Sequence, residues 1–155
     1  MTGFRLFAFR AFAFALLIWT GAGLHESLAD HFAWWADPVA AGAVPSLAGT
    51  VNPWPFTTIA LLLATVAAAL SLRGYRGPGK REGVIALAGA ALIIVATLAF
   101  FVPQLGVMAD PAIAPDTLVA AAHRWIVLNA LRTVVLFVLG WYALVALGRF
   151  GSAPG

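Results

Sequence analysis

Two stretches of twenty residues, PWPFTTIALLLATVAAALSL at 53–72 and GVIALAGAALIIVATLAFFV at 83–102, contain no charged side chain. A helix rises 1.5 Å per residue, so about 20 apolar residues match the roughly 30 Å hydrocarbon layer of a bilayer. Two further apolar runs, 6–28 and 120–148, flank this pair. The runs are too long for barrel strands and lack period-two alternation. The expected fold is therefore all-α: a single integral membrane domain over 1–155, built as a four-helix bundle. Composition agrees, with 63% hydrophobic and 10% charged residues and a mean hydropathy of +0.96. A soluble domain averages about 45–50% apolar and about 25% charged. The expected partner is the lipid bilayer, and the length leaves no room for a soluble catalytic module.

Basic residues set the expected orientation. Arg5 and Arg10 precede or open the first run, Arg73, Arg76, Lys80 and Arg81 lie between the second and third, and Arg149 follows the fourth. In a four-span arrangement all three groups fall on one side, which the positive-inside rule makes cytoplasmic. Both termini are then inside (N-in/C-in), and the location is the cell membrane, multi-pass. Glu26, Asp30, Asp37, Asp110 and Asp116 fall on or near the other side, and only Glu82 lies inside. The pI near 10.2 thus reports topology rather than nucleic-acid binding. The basic loop 73–81 anchors this topology; contact with anionic lipid is the other use of such a loop. Arg5, Arg10, the apolar stretch 11–19 and Ser27-Leu28-Ala29 also have the layout of a cleavable signal. The length and aromatic content of the first run favour its retention as a span. With no cysteine, disulfides, thiol chemistry and cysteine metal ligands are excluded.

The outer connection 29–52 carries Trp34 and Trp35, which suit the interfacial belt, and has room for a short interfacial helix. Asn52-Pro53 suits a helix start. The segment 106–116 reads as a second outer loop. Phe4, Phe7, Phe9, Phe12 and Phe14 are expected to face lipid or the interface. Gly21, Gly23, Gly83 and Gly89 suit close helix packing.

Polar groups inside a bilayer are expensive and tend to face the protein interior. Nearly all of them here fall in one layer, the outer third of the membrane. His25 and Glu26 reach it from the first span, followed by Asp30 and His31. His123, Arg124, Trp125, Asn129 and Arg132 enter it from the fourth. Entry near residue 122 puts Arg132 about 15 Å deep. A lone arginine there costs at least about 2.5–3.5 kcal/mol, so a counter-charge is expected, and Glu26 is the best candidate. Trp125, Asn129 and Arg132 follow i, i+4, i+7 spacing and share one helix face. A buried Glu–Arg pair that only fixes packing and a functional pocket both fit these residues. His25, Glu26, Asp30, His31 and His123 are types that ligate metals. His25 and His31 are six apart, which is not the i, i+4 spacing of a helical two-histidine site. No metal and no cofactor is therefore assigned, and His31 and His123 read as wet interfacial residues.

The stretch HRWIVLNALRT at 123–133 resembles the Arg-Trp-x-x-x-Asn-x-x-Arg signature of the anthrone-oxygenase-like membrane proteins. Gly23-Leu24-His25-Glu26, Asn52-Pro53 and Phe100-Phe101-Val102-Pro103 are similar to other parts of that family. The resemblance implies a four-helix membrane domain, with some members assigned to oxidation of anthrones to anthraquinones. Residue by residue, Trp125, Asn129 and Arg132 match the signature, and Glu26 matches an acidic position in the first span.

The leading expectation is an oxidoreductase-like membrane protein acting on a hydrophobic, aromatic small molecule near the outer face. Glu26, His25 or His123 would remove an acidic proton, and Arg132 and Asn129 would stabilise the resulting oxyanion. Trp125, Trp34 and Trp35 would bind the substrate. The alternatives are a small membrane carrier, in which Glu26 titrates beside Arg132, and a structural subunit whose Glu–Arg layer serves packing only.

Overall fold

The computed structural model describes residues 3–29, 31–39, 54–110 and 112–151. Its elements are α1 (Gly3–Ala29), the short α2 (His31–Ala36), α3 (Trp54–Leu72), α4 (Lys80–Ala96), a π-helical turn (Thr97–Phe101), α5 (Val102–Met108) and α6 (Pro115–Gly151). Among the described residues there is no strand. Three helical stretches, Gly3–Ala29, Lys80–Met108 and Pro115–Phe150, are long and apolar enough to cross a membrane. α3 adds a shorter apolar helix of 19 residues.

The helices form a ring in which α1 packs on α3 and α6, and α4 packs on α3 and α6. α1 and α6 run antiparallel. Phe9 meets Phe150 at one end, Leu17 approaches Gly140 midway, and Glu26 meets Asn129 at the other end. The spacing of buried residues explains this pairing. On α1, Phe9, Phe12, Leu16, Trp19, Gly23 and Glu26 are buried at steps of three and four. On α6, Leu118, Ala122, Trp125, Asn129, Arg132, Leu136, Leu139, Ala143, Ala146 and Phe150 repeat the same steps over the whole helix. That alternation averages 3.5 residues and keeps a single seam facing the partner, as in a left-handed coil. The opposite faces expose Phe4, Phe7, Phe14, Leu131, Val134, Phe137 and Trp141, as an apolar solvent would require.

Small residues let the helices approach. A Cβ on Gly23 would lie 2.6 Å from Thr133 Oγ1, and one on Gly83 would lie 2.9 Å from Leu72 Cδ1. Gly89 faces the Leu139 side chain as closely. Gly21, by contrast, has open space and does not pack. Phe9 and Phe12 are fully buried, so two of the five phenylalanines that open α1 belong to the core, while Phe4, Phe7 and Phe14 are exposed.

The first and third helices begin three residues early, at Gly3 and Lys80, and two other boundaries shift further. The fourth apolar helix begins at Pro115 rather than near 120, with proline at a start where its missing N–H is not needed. The third does not end at Val102. Val102 N–H bonds the Thr97 carbonyl, a five-residue step that widens the turn. The wider turn makes room for Pro103, whose ring clashes with the carbonyl four residues back in a regular α-helix, and helical structure continues to Met108. The expected loop from 106 shortens accordingly. Asn52-Pro53 and Asp30 lie outside the described residues.

Candidate functional site: a polar layer between two apolar cores

The apolar interior is divided in two. One cluster runs from Phe9 through Trp19, Ile94 and Leu136 to Phe150. The other contains Trp34, Phe101, Met108, Leu118 and Trp125. Between them on the α1–α6 seam lie Glu26, Asn129, Arg132 and Thr133, all buried. The layer is held by hydrogen bonds whose polarity can be worked out. Arg132 donates through Nη2 to Asn129 Oδ1. A guanidinium has donors only, so the amide oxygen must face it and the amide nitrogen must face away. That nitrogen donates to Glu26 Oε2 at 3.0 Å and stands 3.4 Å from His31 Nε2. Asn129 is thus a relay between the guanidinium and the carboxylate of the neighbouring helix. Thr133 Oγ1 donates to the Asn129 carbonyl at 2.9 Å, and Gly23 leaves space for it.

Aromatic rings enclose the layer. The Arg132 guanidinium carbon lies 4.3 Å from the centroid of Phe101 and 5.4 Å from that of Trp19, so two ring faces share its charge. Trp125 meets Phe101 edge-on at 5.0 Å. The Trp125 indole N–H is buried and has no hydrogen-bond partner among the described residues.

The short helix α2 packs across α1 and α6. Its spacing buries His31 and Trp34 one turn apart, the first in the polar layer and the second in the core cluster around Phe101 and Trp125. Its other face carries Trp35, which is half exposed and stacks on the His123 ring at 4.4 Å. His123 Nε2 also lies 3.0 Å from the Trp35 carbonyl. Sequence reasoning missed His31: it is 4% exposed, not wet. Trp34 likewise leaves the interfacial belt for the core.

Of the expected residues, Glu26, Asn129 and Arg132 come together, with Trp125 one turn away. His25 is exposed on an adjoining face of α1, and His123 joins Trp35 beside α2 rather than the relay. Arg124 is exposed. Among the described residues no three histidine, aspartate or glutamate side chains converge as a metal site would need. Chemically, the layer places a carboxylate and an imidazole beside one amide nitrogen, with a guanidinium behind it and aromatic walls around it. Such a set can take a proton and hold an oxyanion. No family model, curated protein or solved structure matches this chain.

Proposed function

We propose that this chain is a four-span cell-membrane protein, N-in/C-in, that removes a proton from a hydrophobic hydroxylated aromatic and commits it to oxidation by dioxygen. The observation that carries the reading is the buried Arg132–Asn129–Glu26 relay with His31 beside it. The resemblance to anthrone-oxygenase-like proteins favours the same chemistry. α3 is about 28 Å long at 1.5 Å per residue, which suits a fourth crossing. In the reaction, Glu26 takes a proton from a diaryl methylene, and Arg132 and Asn129 hold the conjugated oxygen as it gains negative charge. The carbanion adds dioxygen and regains the proton as a hydroperoxide. Loss of water leaves the ketone, so one dioxygen is consumed and one water released per methylene. The buried Trp125 N–H supplies a further donor to a ring oxygen.

A second reading is favoured by the position of Asn129 and Arg132 in the α6 seam, where polar residues commonly fix register. In that reading the layer only sets the packing of α1 on α6. Oxygen uptake by purified protein supplied with a reduced hydroxylated aromatic separates the two. Uptake matched by ketone formation supports the first. Neither uptake nor product with any such compound, from protein that remains folded, supports the second.

A further inference from the structure

The basic loop is folded against the bundle. Gly79 adopts φ +83°, a conformation that L side chains rarely adopt, and a Cβ there would lie 2.8 Å from the Ala146 carbonyl oxygen. The Tyr75 ring packs edge-on against Phe150, and its hydroxyl donates to the Pro78 carbonyl at 3.0 Å. These contacts fix the mouth of an open groove of about 630 Å³ between α4 and the end of α6. Lys80, Arg81 and Arg149 stand on it, three cations against the single carboxylate of Glu82. Arg149 donates to Glu82, which aims the guanidinium across from α6 to α4. The other wall is apolar: Val84 is exposed and Ile85 half-buried, and both line the groove. Val84 lies four residues beyond Lys80, about 6 Å further along the helix.

A cationic rim above an apolar wall at that separation matches the two parts of a phospholipid, a phosphate at the interface and acyl carbons just beneath it. We propose that this groove is a binding site for the phosphate headgroup of one anionic membrane lipid, its chains lying along Val84 and Ile85. The guanidinium of Arg149 presents a planar pair of donors suited to phosphate oxygens, and Lys80 and Arg81 add charge. The site depends on the chain lying in a membrane and is independent of the chemistry at Glu26. It differs from general attraction to an anionic surface because Arg76, on the same loop, does not line the groove.

The test measures phosphatidylglycerol bound to the detergent-purified protein, by mass spectrometry under native conditions, against phosphatidylcholine as the neutral lipid. The wild type should retain one phosphatidylglycerol. Lys80→Gln and Arg149→Gln should each weaken retention about five-fold, the effect of removing one cation near an anionic headgroup. Arg76→Gln should leave retention unchanged. Lys80→Gln keeps the Arg149–Glu82 pair, so its result stands even if Arg149→Gln loosens the helix end. Equal losses in all three variants would overturn the site in favour of diffuse attraction. Displacement by millimolar inorganic phosphate would overturn the lipid in favour of a free anion.

Discussion

Asn129→Leu removes the relay while keeping the number and branching of side-chain heavy atoms. Asn129 is fully buried, so leucine leaves no cavity, and its bulkier methyl groups can only add to the loss. Two bonds are lost, the donation to Glu26 and the acceptance from Arg132. Hydrogen bonds to charged groups contribute about 1.5–3 kcal/mol each in water-soluble proteins, which gives roughly 3–6 kcal/mol. Side-chain bonds between membrane helices average about 0.6 and reach about 1.7 kcal/mol, because a helix separated in lipid also finds partners. Only the Asn129–Glu26 bond joins two helices, and the lower scale gives roughly 0.6–1.7 kcal/mol for it. With about 1.5–3 kcal/mol for the Arg132 bond within α6, whose guanidinium lies against two rings, the two bonds together come to about 3 kcal/mol. The assay is unfolding of the purified protein in mixed detergent, followed by helical signal. In a Glu26→Gln background the same substitution should cost about 1 kcal/mol less or lower still, because the acceptor is no longer charged. A loss below about 0.5 kcal/mol in both backgrounds would show that the relay contributes nothing, and the polarity argument built on Arg132 would fail.

Gly23→Ala should destabilise by about 1–3 kcal/mol, since its methyl meets the Thr133 hydroxyl and threonine has few other rotamers. Thr133→Ala in the same chain should restore most of that loss, and failure to restore it would place the strain elsewhere. Reporter fusions at Tyr75 and Asp110 should read cytoplasmic and external respectively, and one compartment for both would reject four spans. Chelation should leave the helical signal and the thermal midpoint unchanged. A large loss restored by one divalent ion would reassign His25, His31 and His123 as ligands.

Much of the bundle was legible because one solvent imposes one pattern. Uncharged runs of about twenty residues have few structural options in lipid. The three-four spacing from Leu118 to Phe150 is written along the whole of α6, and it already places Asn129 and Arg132 inside. The spacing of Trp125, Asn129 and Arg132 showed part of that seam. Other features depended on tertiary contact. Glu26 and Arg132 could be expected to meet, but which amide stood between them depended on the register of α1 against α6, set by contacts such as Gly23 on Thr133. His31 read as wet because a six-residue helix is not stable alone, and its docking depends on Trp34 and the Trp35–His123 stack. The i, i+3 spacing of His31 and Trp34, which puts both on one helix face, was the available signal. The third apolar run reads as ending at 102, before Pro103, and only the π turn upstream shows why helical structure continues.

The double variant Glu26→Gln/Arg132→Gln bears on the proposed chemistry at its source, because it removes both charges from the layer while keeping both positions polar; Gln matches Glu in size and is shorter than Arg by two heavy atoms. Each single variant leaves an uncompensated buried charge, which typically costs about 3–5 kcal/mol. The double variant should recover part of that loss and remain folded. Oxygen uptake and ketone formation with a reduced hydroxylated aromatic are then measured on it beside the wild type. The double variant should be folded with turnover abolished. Wild-type turnover in the folded double variant would contradict the proposed chemistry, since the proton acceptor and the oxyanion donor would both be dispensable.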